Sequence, residues 1–511
     1  MAKHARVVSI CFFSAIGSFL FGLDMGYIGP ILVDDEFKRD VAHMTNWDMP
    51  DSEIADATSG LIVSVFAVGC MFSAFPLVSS YFVEVLGRKL SLMVGAVVFL
   101  IGSAIQASAG DVPVIVVGRF VSGCSIGILS TVVPLYQSEL APSELRGALT
   151  ALSQVMICFG IVVASFADQV LLPLHGGWRL AVLLPVVPGL ILLTGMPFLP
   201  RSPRWLVSKG RTQDAFAVLR SIRAAEVAQA ELQEIMADHA AAQASGADAW
   251  RELFSGRVVR LLAVGVALQV LQQLTGINAF VSYGPRIFKS LGFSATLFQT
   301  ILSLVLFFGT VPAMYLVERC GRRSLLASGA VGMLLPNVLM AVLGVIFTRQ
   351  VDGLVIMSSR VAGGFIAGAV FFFTLNFTYS WGPTTWVYCA EIFPLKVRGR
   401  CVGLTTMAEW TGVFLVNQFT PMLLSAIDFR AFFVFGAFSL AAVALALWLP
   451  ETKGVSLEHM GQVFDAKLGG APPKEKDAAA GLQGCPWRPN SGSDSTSDSE
   501  SSNETSSVES V

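Results

Sequence analysis

Long apolar stretches, separated by short polar segments, dominate the pattern of this chain. Each holds roughly 20 residues, which is about the length an α-helix needs to cross a bilayer. Six stretches precede a polar segment at residues 200–257, and six follow it. The predicted spans are residues 7–33, 57–80, 91–109, 112–137, 148–172, 178–199, 258–284, 296–318, 324–347, 354–380, 401–425 and 430–449. The pattern predicts an all-α membrane protein with twelve transmembrane helices in two pseudo-symmetric halves of six.

The polar segments complete the predicted domain organisation. The first half covers residues 1–199 and the second half covers residues 258–449. Residues 200–257 are predicted to form a cytoplasmic linker with short amphipathic helices, because their apolar positions recur at helical spacing. Residues 450–511 are expected to form a cytoplasmic tail that is disordered from about residue 466, since residues 491–511 hold ten serines and five acidic residues without lysine or arginine.

Composition and charge agree with a membrane protein. The 511 residues are 54% hydrophobic and only 14% charged, with a mean hydropathy of +0.67. Lysine and arginine concentrate in the segments on the same side as the N-terminus, whereas the loop at 34–56 is acidic. The positive-inside rule therefore predicts cytoplasmic N- and C-termini for this multi-pass protein. The expected location is the plasma membrane, with an internal membrane as the alternative.

Charged motifs recur at corresponding places in the two halves. Residues 139–147 read E-L-A-P-S-E-L-R-G, and residues 391–399 read E-I-F-P-L-K-V-R-G. Residues 84–89 read E-V-L-G-R-K, and residues 318–323 read E-R-C-G-R-R. Repeated halves are typical of transporters, in which the halves rock about a site held between them.

These motifs predict a gating network at the cytoplasmic ends of the spans. Carboxylates and guanidinium groups are expected to pair across the halves when the inner side is closed and to separate when it opens. The alternative is anchoring by the positive-inside effect alone, which would need no glutamate. The predicted network consists of Glu84, Arg88, Glu139, Arg146, Glu318, Arg322, Glu391 and Arg398.

Further motifs make the chain similar to the sugar porters of the major facilitator superfamily, from about Phe21 to Gly454. They are Gly118-Arg119, P-L-Y-Q-S-E-L-A-P at 134–142, Q-Q-L-T-G-I-N-A at 272–279, G-P-T-T-W-V at 382–387 and P-E-T-K-G at 450–454. The resemblance implies the major facilitator fold. It also implies alternating-access transport of a monosaccharide such as a hexose.

The resemblance places a sugar site near the middle of the membrane. A sugar is neutral and covered in hydroxyls, so it binds through amides that donate and accept hydrogen bonds, and against an aromatic ring. Gln272 and Asn278 are six residues apart and do not stack on one helical face as i, i+4 neighbours would, and a break around Gly276 is expected to bring both to the cavity. The alternative is that the amides join helices. The expected substrate-binding residues are Gln154, Gln272, Gln273, Asn278, Phe377, Trp386 and Glu409.

Three positions depart from the family's pattern. Arg201 stands where glutamate is usual, Leu306 where asparagine is usual, and Glu409 where an amide is usual. A carboxylate in the cavity has to be protonated, hydrated or paired. Glu409 is therefore predicted to be either a second titratable group or a hydrogen-bond acceptor for a sugar hydroxyl.

Asp24 lies inside the first span, where a lone carboxylate is costly. The resemblance pairs it with Arg119 in proton-coupled members, so these two residues are the predicted proton-coupling site. A static ion pair is the alternative. The predicted function is sugar/proton symport. The alternatives are facilitative uniport, a non-transporting sugar receptor of the same fold, and transport of a polyol or inositol.

No catalytic motif or Cys/His cluster with metal-ligand spacing occurs in the sequence. We therefore expect no enzymatic activity, no cofactor and no metal site. The expected partners are a small-molecule sugar, protons and the lipid bilayer, with no nucleic acid.

Overall fold

The computed structural model describes residues 2–43, 56–142, 145–244, 253, 255–351, 354–393, 397–452 and 464. The predicted disorder from about residue 466 lies outside these residues. Within them, the chain is a bundle of long helices that match the predicted spans. The apolar stretch Gly399–Trp448 contains two of these spans, because the chain turns at Asp428, whose φ is 53°. The twelve-helix architecture predicted from the hydropathy pattern is thus confirmed.

The first half contains spans one to six. Span one is interrupted at Ala15, and span two continues beyond Phe75 into a π-helical turn. In chain order, the elements are Ala2–Ser14 and Ile16–Val33; Asp56–Ala74, Pro76–Ser80 and Tyr81–Leu86; Arg88–Ala107; Val112–Leu140; Arg146–Leu171; and Gly177–Leu183, Val186–Gly195 and Met196–Phe198.

The second half contains spans seven to twelve. Spans seven and ten are each divided, span seven at Gly276 and span ten by a π-helical turn. In chain order, the elements are Gly256–Leu274 and Ile277–Ser290; Ala295–Cys320; Arg322–Phe347; Arg360–Asn376, Phe377–Trp381 and Gly382–Ile392; Arg398–Ile427 with Asp428–Arg430; and Ala431–Trp448.

Three short helices lie in the predicted linker, at Pro203–Ser208, Thr212–Ile222 and Ala225–Ala244. They share a small apolar core around Trp205 and are tied to the first half. Trp205 Nε1 donates a hydrogen bond to the carbonyl oxygen of Glu84 at 3.1 Å. We call this end of the bundle the linker side.

The opposite end, which we call the far side, carries two elements absent from the sequence prediction. A hairpin pairs Thr348–Val351 with Leu354–Met357, as expected for β-branched residues around an Asp-Gly dipeptide. A helix at Asp35–Ala42 begins at Asp34, whose Oδ2 accepts a hydrogen bond from the Phe37 amide at 2.9 Å.

The far-side helix is fixed to the loop before span six. Phe37 packs edge-on against Trp178 at 5.2 Å, and Arg179 donates to Asp40 at 2.7 Å. Partial burial acts to raise the pKa of Asp40, but hydrogen bonds from Arg179 and Trp178 outweigh it. The pKa therefore lies below the ordinary aspartate value.

Glycines allow close helix packing in both halves, but they meet different groups. In the first half, a Cβ at Gly22 would collide with the main-chain carbonyl of Ile157, and one at Gly69 with that of Phe120. In the second half, a Cβ at Gly329 would collide with the Ser380 side chain. Contacts of this second kind also occur in the first half, where a Cβ at Gly102 would collide with the Ser122 side chain.

Candidate functional site

A cavity of about 1820 Å³ lies between the two halves and reaches the linker side. Its walls come from both halves, from Gln154 in span five to Glu409 in span eleven. On the linker side it extends to the charged motifs and the linker helices, where Glu139, Glu231 and Glu391 line it. All seven predicted substrate-binding residues line this one cavity: Gln154, Gln272, Gln273, Asn278, Phe377, Trp386 and Glu409.

The two halves meet at the far side and close the cavity there. Arg286 Nη1 in span seven lies 2.7 Å from Asp56 Oδ1 in span two. Ser64 donates to Gln418 Oε1 at 2.7 Å, also between the halves. Gln169 in span five donates to Thr300 in span eight. The structure is therefore closed on the far side and open on the linker side.

The break in span seven brings the amides of Gln273 and Asn278 into contact. The first helix ends at Leu274, Gly276 has a φ of 103°, and the second helix starts at Ile277. The positive φ favours glycine, because a side chain would be strained there. Asn278 Nδ2 consequently donates to Gln273 Oε1 at 2.5 Å. The break predicted around Gly276 is present in the structure.

The Gln272 side chain has hydrogen-bond partners at its nitrogen but none described at its oxygen. Its Nε2 donates to the carbonyl oxygens of Trp381 and Gly382 at 3.1 and 3.2 Å, in the divided region of span ten. Its Oε1 is buried and has no hydrogen-bond partner among the described residues. A buried oxygen without a partner beside a cavity is suited to accept a hydrogen bond from a ligand hydroxyl.

Glu409 continues the chain of polar contacts that starts at Asn278. Gln273 Nε2 donates to Glu409 Oε1 at 3.3 Å, whereas Glu409 Oε2 is buried without a partner in the described part of the chain. The neighbouring Trp410 Nε1 is a buried donor that likewise lacks a described partner. Glu409 is only 8% exposed although it lines the cavity. Glu409, which stands where the family usually has an amide, therefore belongs to the cavity wall.

The remaining predicted residues form the walls of the cavity. Phe377 starts the π-helical turn of span ten and is 7% exposed, while Trp386 lies in the helix that follows. Gln154 is half-buried, and its Nε2 makes a long contact of 3.9 Å to Cys158 Sγ. Leu306 also lines the cavity, so an apolar group stands where the family usually has an amide.

Asp24 and Arg119 form a buried ion pair outside the cavity wall. Arg119 Nη1 lies 2.5 Å from Asp24 Oδ2, and the two side chains are 1% and 0% exposed. Tyr27 donates to Asp24 Oδ1 at 2.6 Å, and Arg119 Nε donates to the Ile62 carbonyl at 3.2 Å. Both carboxylate oxygens are therefore bonded, which is what a buried charge pair requires.

An aromatic contact separates the ion pair from the cavity. The Arg119 guanidinium carbon lies 4.6 Å from the centroid of the Phe66 ring. Phe66 in turn packs against Trp410 at 6.0 Å, and Phe21 packs against Trp410 at 5.3 Å. Trp410 lines the cavity next to Glu409. Phe66 thus connects the ion pair of the first half with Trp410 on the cavity wall of the second half.

The charged motifs form the same ion pair once in each half. Arg88 Nη2 lies 2.5 Å from Glu139 Oε1, and Arg322 Nη2 lies 2.9 Å from Glu391 Oε1. Both pairs lie within a half. The predicted pairing across the halves, expected when the linker side closes, stays a prediction.

A hydroxyl completes each of these pairs. Ser202 donates to Glu139, and Thr452 donates to Glu391 Oε2 at 2.8 Å.

The other residues of the charged motifs make different contacts or are not described. Arg201, which replaces the family's glutamate, stacks on Trp205 at 5.0 Å. Glu84 is exposed and takes part through its carbonyl oxygen. The side chains of Arg146, Glu318 and Arg398 lie outside the described part of the structure.

Comparisons with known proteins agree with this geometry. The family described as "Sugar (and other) transporter" matches residues 10–464. The galactose-proton symporter of Escherichia coli is 35% identical over 468 residues, which is 90% of this chain and 94% of the symporter. The low-affinity glucose transporter HXT1 of Saccharomyces cerevisiae is 35% identical over 480 residues, covering 90% of this chain and 82% of HXT1.

Solved structures show the same fold. The proton:xylose symporter XylE bound to 6-bromo-6-deoxy-D-glucose superimposes with a TM-score of 0.74 at 26% identity, covering 89% of this chain and 99% of XylE. The inward open conformation of XylE from E. coli gives a TM-score of 0.70 at 26% identity, with the same coverage of both chains.

Proposed function

Because the chain belongs to the sugar transporter family, we propose that it carries a hexose across the membrane by alternating access and couples this movement to protons. The observation that carries the proposal is the cluster of amides at the break in span seven, which faces a cavity between two halves that are closed on one side. The chain moves its substrate without changing it chemically. Sugar and protons are its partners, and it needs no cofactor.

The sugar binds where polar atoms of the cavity lack partners. Gln272 Oε1 and Glu409 Oε2 accept hydrogen bonds from hydroxyls, and Trp410 Nε1 donates one. Gln273 and Asn278, which bond to each other, can exchange that bond for bonds to a hydroxyl. Trp386 and Phe377 supply aromatic surface for the apolar face of the ring. Gln154 contributes an amide from the other half.

Proton coupling rests on Asp24 and Arg119. Protonation of Asp24 neutralises the carboxylate, weakens its bond to Arg119 and frees the guanidinium to change its contacts. Phe66 packs against the Arg119 guanidinium and against Trp410. A movement of Arg119 therefore displaces Trp410 at the cavity wall. Two similar proteins are named as proton symporters of galactose and of xylose, which supports coupling in this chain.

Alternating access follows from the contacts between the halves. The far-side contacts between the halves open when the linker side closes. The paired motifs around Glu139 and Glu391 then come together across the halves. Both termini face the cytoplasm, in the plasma membrane, so the present cavity opens inward. This state releases imported sugar into the cell.

Uptake in a host that lacks its own sugar transporters tests the proposal. Radiolabelled hexoses, a pentose and inositol are supplied at two pH values, with and without a protonophore. We expect saturable hexose uptake that exceeds the external concentration and that the protonophore reduces to equilibration. Equilibration alone under all conditions would identify a uniporter, and inositol uptake without hexose uptake would reassign the substrate. Binding without uptake of any sugar would favour a receptor.

A further inference from the structure

We infer that Glu409 makes the sugar cavity a site for hexoses that carry a protonated amine, with the ammonium group held by Glu409 Oε2. The inference rests on the proposed function, because it concerns the same cavity and names a second class of substrate for it. A neutral hexose and an aminohexose of the same shape would both bind, and the aminohexose would bind more tightly.

The first observation is that Glu409 is buried and incompletely bonded. Glu409 is 8% exposed. The one hydrogen bond described for its side chain is donated by a neutral amide, Gln273 Nε2, at 3.3 Å. Its Oε2 is without a described partner although Glu409 lines the cavity. A carboxylate in that position is stabilised only if a proton or another cation joins it there.

The second observation concerns the charges around Glu409. The helices packed against span eleven in the described structure place their charged side chains at the ends of the bundle. Arg400 on the same helix is nine residues away, which is about 14 Å along the axis at 1.5 Å per residue. Arg119 is buried behind Phe66 in its pair with Asp24. Among the described residues, the buried Cys389 thiol on span ten lies near Glu409.

Charged groups on the other packed helices lie further off. Asp56 is the first residue of span two and is bonded to Arg286 on span seven, at the far side. Glu391 ends span ten at the linker side, where it pairs with Arg322. Arg260 lies in the first turns of span seven. None of these positions is at the level of Glu409 in the described helices, so an ionised Glu409 has to take its compensating cation from the cavity.

The chemistry differs between the two kinds of sugar. With a neutral hexose, Glu409 keeps its proton and donates or accepts an ordinary hydrogen bond. With an aminohexose, the proton moves from the carboxylic acid to the free amine, or an ammonium displaces the proton into solution. Either route leaves a carboxylate facing an ammonium group. Such charge-assisted bonds are shorter and about twice as strong as neutral ones.

The neighbouring groups restrict where the amine lies. Trp410 Nε1 can only donate, so it selects a hydroxyl or ring oxygen rather than an ammonium. Gln272 Oε1 accepts from a hydroxyl and carries no charge. Replacing a sugar hydroxyl with an amine therefore increases the affinity only where that group faces Glu409. Because one position of the sugar ring is selected, isomers with the amine elsewhere should show no gain.

The experiment compares glucose with 2-amino-2-deoxy- and 6-amino-6-deoxyglucose, each as substrate and as competitor, at a pH where the amines are protonated. We expect one of the two amines to bind about tenfold more tightly than glucose. Glu409→Gln, which keeps the shape and removes the charge, should abolish that preference, so that the variant binds the amine no more tightly than it binds glucose. The N-acetylated form of the preferred amine, which is neutral, should also lose it.

Glu234→Gln is the matched control variant. Glu234 is an exposed acid on the linker helices that lines the mouth of the same cavity. Removing its charge tests whether any negative charge at the cavity attracts the protonated amine. It should leave the preference intact. Equal affinities of glucose and both amines in the wild type, or a preference that survives Glu409→Gln, would overturn the inference. Absence of glucose uptake would instead overturn the proposed function.

Discussion

Loss of the ion pair between Asp56 and Arg286 should shift the protein towards a state open on the far side. The pair joins spans two and seven across the halves at 2.7 Å, and its side chains are 26% and 24% exposed. Exposed pairs contribute up to about 1 kcal/mol, and burial increases the loss when one partner is removed. A change of about 1 kcal/mol corresponds to about a fivefold change in the equilibrium between the two states.

Asp56→Asn is the perturbation, since it removes the charge and keeps the shape. Arg286 retains its bond to Ser425 at 3.1 Å, so the loss is confined to the contact between the halves. The reporter is Val281→Cys, because Val281 lines the cavity just inside the far-side contacts. A membrane-impermeant maleimide added outside sealed cells reaches this cysteine only when the far side opens. The chain without Val281→Cys gives the background labelling.

We expect the labelling rate to rise about fivefold in Asp56→Asn. The charge-swapped pair, Asp56→Arg with Arg286→Asp, should return it towards the original rate. Asp35→Asn serves as the control, because Asp35 is 81% exposed on the far-side helix and pairs with Lys38 within that helix. An equal rise in this control, or no rise in Asp56→Asn, would refute the reasoning.

Three further results are expected. Asp24→Asn should abolish accumulation against a gradient while exchange of sugar between the two sides persists, because an amide cannot carry a proton; a mutant that still concentrates labelled hexose would exclude this site as the coupling site. Gln272→Ala and Asn278→Ala should each raise the half-saturation concentration roughly 2–10-fold, the effect of one lost hydrogen bond; unchanged uptake kinetics in both would exclude the proposed site. The lowered pKa of Asp40 means that its contact with Arg179 stabilises the fold above the ordinary aspartate pKa, and that this contribution is lost as the pH falls through the lowered value. Arg179→Ala should therefore lower the melting temperature of the purified protein more at about pH 6 than at about pH 3, where only its contacts with the Ala109 carbonyl and the Trp178 ring are lost, and a loss of equal size at both values would contradict this.

The twelve helices could be predicted because their length is set by the membrane and their apolar composition is visible without any tertiary information. The break in span seven could be predicted for a different reason. Gln272 and Asn278 do not stack on one face of a continuous helix, and Gly276, which lies between them, has the positive φ at which the helix breaks.

Partners that lie far apart in the chain could not be predicted. Tyr27 is one turn from Asp24 in a span full of apolar residues, so its hydroxyl is read as packing until the fold shows that it donates to the carboxylate. Asp56 and Arg286 are separated by 230 residues, and no pattern connects them. Phe66 links the ion pair to the cavity only through its position in space.

The helix at Asp35–Ala42 is absent from the sequence prediction although its sequence contains helix-forming features. Asp34 has the residue type that caps helices, and Phe37 and Val41 are four residues apart on what becomes its buried face. The sequence pattern predicts an acidic loop there, because the charge of the segment is its most obvious property. Capping and spacing together identify the helix.

The two kinds of glycine contact differ in mechanical stiffness. Where main chain rests on main chain, as at Gly22 and Gly69, no rotamer change can relieve compression, so the two helices in contact move together. Where a hydroxyl side chain fills the space, as Ser122 does beside Gly102 and Ser380 beside Gly329, a rotation about one bond can absorb a displacement. New substrate preferences should therefore be selected more readily through repacking of spans three and four, or nine and ten, than through changes where span one meets span five.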